Sequence, residues 1–301
     1  MQTSVSLCGV TLKNPIITAS GTFGFGREYA EFYPLDKLGG ISTKGLTLLP
    51  REGNPTPRIA ETPSGILNAV GLQNPGVEAF ICEDLPWLKQ QGTVIFANAA
   101  GACESDYEKM AERLDGLVEF IELNISCPNV KAGGIAFGVY PESIYNITRL
   151  VKAKCPHTPL VVKLSPNVAN IAENARMAEK GGADAISLVN TFTGMAVDAR
   201  RRRPILANRT GGLSGPCIKP LALRMVYDAA QAVDIPVIGM GGIMTGEDVV
   251  EFLLCGATAV QVGTANISDP MAAARIADEL CAFMQEQGIS SVQELIGALK
   301  V

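Results

Sequence analysis

Eight short apolar segments recur along this 301-residue chain and alternate with stretches of helical character. Each begins with continuous apolar residues, as strands buried on both faces do, and ends in small or polar ones. The segments are PIITASG (15–21), GGISTKG (39–45), VIFANAA (94–100), FIELNIS (120–126), PLVVKLS (159–165), AISLVNT (185–191), PVIGMGG (236–242) and AVQVGTA (259–265). Eight strands alternating with helices predict an α/β fold, a (β/α)8 TIM barrel. A doubly wound sheet is the alternative.

Other segments predict how the barrel is completed. The alternating residues SVSLCGVTL within 1–13 predict an N-terminal β-hairpin that closes the bottom of the barrel. Residues 46–66 are rich in Pro and Gly and predict an inserted excursion after strand two. No linker or shift in composition divides the chain, so we expect residues 1–301 to form a single domain. Capping-box spacing predicts helix starts at three pairs, Ser105 with Glu108, Asn170 with Glu173, and Thr245 with Asp248.

Charge, cysteine and histidine content exclude several functional classes. The formal net charge is −5, so no general basic field attracts nucleic acid, and no apolar run approaches the length of a membrane span. No two of the eight cysteines are close in sequence, which argues against zinc, iron–sulfur and dithiol sites. His157 is the only histidine, which argues against histidine-built metal sites and Ser-His-Asp triads. We expect a cytoplasmic protein with free thiols and no metal in this chain.

Polar residues collect where the predicted strands end. In a barrel the carboxyl ends of the strands supply the active site. One polar residue at a strand end is equally well explained by the start of a loop. Polar residues at the ends of six successive strands are not. The residues are Ser20, Lys44, Asn98, Asn124, Lys163, Asn190, Thr191, Gly241, Gly242, Gly263 and Thr264.

The last two strand ends predict a phosphate site. GMGGI and GTANISDP offer glycines whose N–H groups can approach an anion, and Ser268 would cap a following helix. Gly215 of GGLSGP could serve the same phosphate. The chain has no strand–GxGxxG–helix fingerprint or Walker lysine motif, which disfavours dinucleotide and ATP folds.

Lys44 and Lys163, together with the phosphate cradle and the amides, favour flavin mononucleotide (FMN) as cofactor. A fixed positive charge near the N1/O2 edge of a flavin stabilises its anionic reduced form, and Lys163 is the candidate for that charge. The alternative is an interior lysine paired with an unidentified carboxylate.

Cys127 lies just beyond strand four in NISCPNVKAGG, flanked by asparagines and followed by Pro128. A free cysteine is most often core filler. Here no histidine or second cysteine lies nearby, which argues against a protease-like dyad or a metal site. A general base is the remaining role, because a thiol with a pKa of about 8.5 is partly ionised at neutral pH. The glycines of the following loop would let it close over a pocket and exclude water.

Six motifs together resemble the dihydroorotate dehydrogenase family, and most closely its class 1B catalytic subunit. They are NISCPNVKAGGIAFG, NAVGLQNPG (68–76), STKGLT (42–47), SLVNT (187–191), GGLSGP and IGMGGI, and the resemblance runs from about residue 5 to 290. It implies oxidation of (S)-dihydroorotate to orotate in pyrimidine biosynthesis, with Cys127 as the base. The implied FMN contacts are Ser20, Lys44, Gly45, Asn98, Asn124, Lys163, Val189, Gly215, Gly241, Gly242, Gly263 and Thr264. The implied substrate contacts are Lys44, Asn68, Ala69, Val70, Gly71, Leu72, Asn124, Asn129, Asn190 and Thr191.

The resemblance also implies the electron acceptor. Class 1B barrels dimerise and bind a second subunit with FAD and a [2Fe–2S] cluster, which reduces NAD, so we expect a heterotetramer. A class 1A homodimer that uses fumarate is one alternative. A flavin-dependent reductase of pyrimidines or of tRNA uridine is another, although the expected cluster cysteines and basic surface are missing. The arginines at 200–203 are the one conspicuous basic run, typical of a solvated loop or a subunit contact.

Overall fold

The computed structural model describes residues 1–126 and 137–300. Strands and helices alternate along most of this part of the chain. The strands are β1 (Val5–Leu7), β2 (Val10–Leu12), β3 (Ile16–Thr18), β4 (Gly40–Ser42), β5 (Ile59–Thr62), β6 (Gly65–Asn68), β7 (Val94–Ala99), β8 (Phe120–Asn124), β9 (Leu160–Lys163), β10 (Ala185–Leu188), β11 (Phe192–Met195), β12 (Val197–Asp198), β13 (Arg203–Pro204), β14 (Thr210–Ser214), β15 (Val237–Met240) and β16 (Ala259–Val262).

Eight parallel strands close into a barrel in the order β3-β4-β7-β8-β9-β10-β15-β16. The ring closes where β16 pairs with β3, with Val260 opposite Ile16. Each barrel strand lies inside one of the eight segments named from the sequence, so the (β/α)8 prediction is confirmed and the doubly wound sheet is wrong. Nearly every residue of these strands is buried, which explains why their sequences are continuously apolar at the start.

The N-terminal hairpin is also confirmed. β1 and β2 pair antiparallel, with Val5 opposite Leu12, and both side chains are buried. The Cys8 thiol donates to the carbonyl oxygen of Asp184, one residue before β10. The hairpin therefore lies against the amino-terminal ends of the barrel strands, which are the bottom of the barrel.

The helices pack around the barrel. They are α1 (Val77–Ala79), α2 (Leu85–Lys89), α3 (Glu104–Leu114), α4 (Pro141–Lys152), α5 (Ile171–Lys180), α6 (Lys219–Ala230), α7 (Gly246–Leu254), α8 (Ala265–Ser268) and α9 (Ala272–Glu286), with a π-helical turn (Phe80–Asp84) between α1 and α2. None of the helices formed by residues 1–126 and 137–300 combines the length and apolar character needed to cross a membrane.

Two of the three predicted helix caps are confirmed. Asn170 accepts a hydrogen bond from the Glu173 N–H at the start of α5, and the capping box predicted at residues 245 and 248 begins α7. The cap predicted at Ser105 is wrong, because α3 begins at Glu104 and Cys103 is its N-cap residue. Ser105 therefore lies inside the first turn.

A four-stranded antiparallel sheet in the order β11-β14-β6-β5 is joined to the carboxyl ends of the barrel strands. We call this sheet the canopy. β5 lies in the predicted excursion after strand two and β6 begins at its end, whereas β11 and β14 follow β10. Three of its buried or adjoining residues, Ala60, Leu67 and Leu206, form a small apolar cluster of their own. The excursion was predicted from the sequence, but its pairing with a segment more than 140 residues away was not.

Candidate active site

A cavity of about 420 Å³ lies between the carboxyl ends of the barrel strands and the canopy. This volume is within the range of small-molecule and cofactor sites. Eighteen of the residues named from the sequence line it: Ser20, Lys44, Gly45, Asn68, Ala69, Val70, Gly71, Leu72, Asn124, Lys163, Val189, Asn190, Thr191, Gly215, Gly241, Gly242, Gly263 and Thr264. Cys127 and Asn129 lie outside the described residues, as do residues 128–136 of the loop predicted to close.

Glycines bring three backbone segments together at one end of the cavity. Gly242 has φ +79°, a conformation that favours glycine, and a Cβ there would lie 2.9 Å from the Gly215 oxygen and 2.8 Å from Lys219 Cβ. Only glycine therefore lets the turn after β15 approach the end of β14. Lys219 itself is bound to Asp248 at 2.6 Å and to Glu251 at 2.9 Å, so its charge is already paired. Backbone N–H groups, rather than this lysine, are the donors that an anion would meet here.

The strand end after β16 completes this region in a way that differs from the prediction. The Thr264 hydroxyl donates to Ser214 Oγ at 2.9 Å and so joins the barrel to the canopy. The prediction that Ser268 caps a helix is wrong, because Ser268 is the last residue of α8 and its hydroxyl donates to the Ala265 oxygen. α9 begins only at Ala272, so its dipole starts farther from the glycines than expected.

Lys44 brings a positive charge to the cavity wall. Its side chain is partly buried, and among the described residues no carboxylate lies within ion-pair distance. Burial, with repulsion from Arg58, lowers the pKa of Lys44 below its usual value. Next to it, a Cβ at Gly45 would come within 3.0 Å of both Asn98 Oδ1 and Leu72 Cδ2. An anionic ligand would supply the counter-charge that Lys44 lacks.

Three side-chain amides form a hydrogen-bonded chain beneath and along the cavity. Asn124 donates through Nδ2 to Asn98 Oδ1, and Asn190 donates through Nδ2 to Asn124 Oδ1, each at 3.4 Å. The Thr191 N–H donates to Asn190 Oδ1 at 2.9 Å. Asn124 and Asn190 line the cavity, whereas Asn98 is fully buried below them and does not. The predicted contact of Asn98 with a cofactor remains a prediction.

Glu122 is the unidentified carboxylate that pairs with Lys163. It lies on β8 with 0% exposure, and its Oε2 accepts from Ser42 Oγ and Asn98 Nδ2, both at 2.7 Å. Its Oε1 accepts from Ser187 Oγ at 2.9 Å and Gln261 Nε2 at 2.6 Å. Lys163 Nζ lies 3.6 Å from Oε2.

These contacts keep Glu122 ionised despite its surroundings. Burial alone would raise its pKa, but Lys163 and the hydrogen bonds from Ser42, Asn98 and Gln261 outweigh burial and hold the pKa below its ordinary value. The alternative interpretation of Lys163, an interior lysine paired with a carboxylate, is therefore confirmed. Lys163 also lines the cavity, and its role toward a flavin remains a prediction.

Comparisons with known proteins identify the family of this chain. The family model described as dihydroorotate dehydrogenase matches residues 2–284. The chain belongs to the dihydroorotate dehydrogenase family. Among its relatives are proteins named dihydroorotate dehydrogenase B (NAD(+)), catalytic subunit. The one from Geotalea uraniireducens is 57% identical, over 98% of this chain and 97% of the relative. That from Alkaliphilus oremlandii is 56% identical, over 98% of both chains, and that from Geobacter sulfurreducens is 55% identical, over 99% and 98%.

Two parts of this dihydroorotate dehydrogenase site were missed from the sequence. The first is Glu122 with its partners, which are Ser42, Ser187 and Gln261. The sequence did contain a signal for Glu122, since it is a glutamate inside the buried segment FIELNIS and a buried charge needs a partner. The canopy also contributes wall residues that were not named, among them Ile66, Thr193, Thr210 and Ser214.

The arginine run lies away from this cavity. Arg200, Arg201 and Arg202 occupy the exposed turn between β12 and β13, and Arg203 is in β13 itself. Arg201 forms an exposed ion pair with Asp198 at 3.6 Å. This placement agrees with a solvated loop.

Proposed function

We propose that this chain oxidises (S)-dihydroorotate to orotate with FMN bound at the barrel mouth, as the catalytic subunit of an NAD-linked enzyme. Two observations agree and together carry the proposal. Relatives of that name match nearly the whole chain, one of them at 57% identity, and eighteen of the residues that the resemblance implies line one cavity. A barrel alone would not support it, because one fold serves many reactions.

The described residues fit FMN. The glycines at 215, 241 and 242 converge at one end, where backbone N–H groups suit a phosphate. Lys163 lies at the floor, where its charge suits the N1/O2 edge of a flavin ring. Gln261 also lines the cavity, and its buried Oε1 has no hydrogen-bond partner among the described residues, so it can accept from a ligand. When bound, FMN supplies the acceptor for the substrate's hydride.

Other residues that line the cavity fit a small anionic pyrimidine. Lys44 provides the unpaired positive charge that suits the substrate carboxylate. The amides of Asn68, Asn124 and Asn190 present donors and acceptors that suit a urea-like edge. By the resemblance, Cys127 takes the proton from C5 of dihydroorotate while the hydride leaves C6. The roles of these groups are then distinct, since Lys44 binds the substrate, the amides orient it, and the thiol holds the proton.

The electron acceptor lies in a partner of this chain, by the same proposal. The relatives are named catalytic subunits and NAD(+) enzymes. This sequence has neither clustered cysteines nor a dinucleotide fingerprint, so we place FAD and a [2Fe–2S] cluster in a second polypeptide. Two barrels and two such subunits would make a cytoplasmic heterotetramer.

An anaerobic reduction experiment tests this function. The purified chain should carry flavin absorbance that dihydroorotate bleaches, and a dye acceptor should then sustain orotate formation. Electrons should reach NAD only when the second subunit is added. Rapid turnover with fumarate would favour the class 1A homodimer, and flavin reduction by NADPH with reduction of uracil or tRNA uridine would favour a reductase. A colourless protein that leaves dihydroorotate unchanged would contradict the proposal.

A further inference from the structure

We infer that Glu122 is a positioning residue of this active site, which acts through Lys163 by fixing its position and balancing its charge beneath the flavin ring. The inference rests on the proposed function for the presence of FMN. Glu122 does not reach the cavity, since it is fully buried and lies behind the lining residues. Any effect on the flavin must therefore pass through its partners.

The contacts of Glu122 indicate that it holds several side chains of the site in position. Five side chains, each from a different barrel strand, converge on the Glu122 carboxylate. Four donate hydrogen bonds, Ser42 of β4, Asn98 of β7, Ser187 of β10 and Gln261 of β16, and Lys163 of β9 forms the ion pair. Of these, Lys163 and Gln261 line the cavity directly, and Asn98 leads to it through Asn124 and Asn190. One carboxylate thus fixes side chains that face both predicted ligands.

The charge balance follows from burial. Lys163 is 4% exposed and Glu122 is 0% exposed, so little water screens either charge. Among the described residues, Glu122 is the charged group in contact with Lys163. The surrounding serine, asparagine and glutamine side chains do not titrate in the neutral range. The flavin would therefore experience the field of the pair rather than that of an isolated ammonium group.

Glu122→Gln removes the negative charge of residue 122 and nearly keeps the shape of its side chain. Glutamine has nearly the same volume. With its NH₂ group at the position of Oε1, it can donate to Ser187 Oγ and to a rotated Gln261 amide, while its oxygen keeps the contacts with Ser42 and Asn98. The Lys163 charge then lacks its counter-ion and stabilises the anionic reduced flavin more strongly. At mildly acidic pH, we expect the two-electron reduction equilibrium to favour the reduced flavin about tenfold more, a shift of about +30 mV.

The measurement is a redox titration of the FMN-loaded chain with a chemical reductant, which does not require dihydroorotate turnover. Glu119→Gln is the matched control, because Glu119 precedes the same strand at its opposite end and binds only the Ile95 N–H among the described contacts. The control should keep the wild-type potential. A Glu122→Gln protein with the wild-type potential at every pH would overturn the inference.

Two further outcomes can each be interpreted by a separate measurement. If Glu122→Gln does not fold, the infrared spectrum of the wild-type holoenzyme with isotope-labelled glutamate decides, since a protonated glutamate band at neutral pH would overturn the charged pair and its absence would support it. If the wild type binds FMN but is not reduced by dihydroorotate, the proposed function fails while the redox titration still tests Glu122.

Discussion

The ammonium nitrogen of Lys163 lies 3.6 Å from a carboxylate oxygen of Glu122, in the interior of the barrel. Both side chains are buried, so neither charge is solvated by bulk water. A buried pair of this kind adds little net stability, because desolvation offsets the attraction, but the loss of one partner leaves an uncompensated charge. The pair is therefore better explained by the chemistry of the site than by folding.

Lys163→Met should lower the free energy of unfolding of the apoprotein by about 3–5 kcal/mol, because Glu122 loses its counter-ion. FMN affinity should fall as well. Urea denaturation measures the first effect and flavin titration the second. The double variant Lys163→Met/Glu122→Gln should recover much of the stability but not the FMN affinity. Equal stability of the single and double variants would show that the pair does not carry this energy.

Acid should selectively remove the stabilisation that Glu122 contributes. Its folded-state pKa lies below the unfolded value of about 4.3, so its contribution is complete above that value and is lost as pH falls through the folded-state pKa. Urea denaturation of wild type and Glu122→Gln between about pH 3 and pH 7 should show a stability gap that narrows toward acid. A gap that stays constant over this range would indicate that the carboxyl has the same pKa in the folded and the unfolded protein, and a gap that widens toward acid would indicate that the carboxyl is already protonated in the folded protein.

The barrel was predictable from sequence because its signals are local. Every barrel strand lies within a continuous apolar segment, and the caps at Asn170 and Thr245 act within one turn of their own helices. The prediction at Ser105 failed because the extended residue before α3 is Cys103, so the helix has already begun when the chain reaches Ser105.

The canopy and the Glu122 cluster were not predictable from local patterns. β6 pairs with β14, with Leu67 opposite Leu213, and no local signal specifies a partner that far along the chain. The donors around Glu122 come from strands between residues 42 and 261, so only closure of the barrel brings them together. A glutamate within a buried apolar strand is recognisable from the sequence, but the side chains that it binds are not.

Gly242→Ala should weaken FMN binding by about tenfold or more, because a methyl group there overlaps the Gly215 oxygen and displaces the glycine-rich turn. Gly116→Ala is the matched control. Gly116 has a similar φ of +71°, but no atom lies within 4 Å of the added Cβ. Both variants should lose about 1–2 kcal/mol of stability from the strained backbone, and Gly242→Ala should lose more because of the overlap. Only Gly242→Ala should lose affinity for FMN. Equal FMN dissociation constants would argue against a phosphate at this turn.

Lys44→Met should weaken orotate binding by about 10- to 100-fold, through loss of a charge-assisted hydrogen bond. The apoprotein should be as stable as wild type or more stable, because burial already disfavours the Lys44 charge. Orotate titration of the flavin spectrum and thermal unfolding measure the two effects. Lys13→Met removes an exposed lysine, paired with Asp36 on the surface, and should change neither. Marked destabilisation of apo Lys44→Met would mean that Lys44 has an internal partner.

Cys127→Ser should leave FMN bound but slow flavin reduction by dihydroorotate by about 10²- to 10⁴-fold, because a serine hydroxyl is far harder to deprotonate than a thiol. Stopped-flow measurement of flavin bleaching gives this rate. In the wild type the rate should rise with pH toward the thiol's ionisation, since only the thiolate can accept the proton. Cys103→Ser is the control, because Cys103 is exposed at the N-cap of α3, where serine is a better cap, and its rate should match wild type. Undiminished reduction in Cys127→Ser, or a flat pH profile in the wild type, would assign the base to another group.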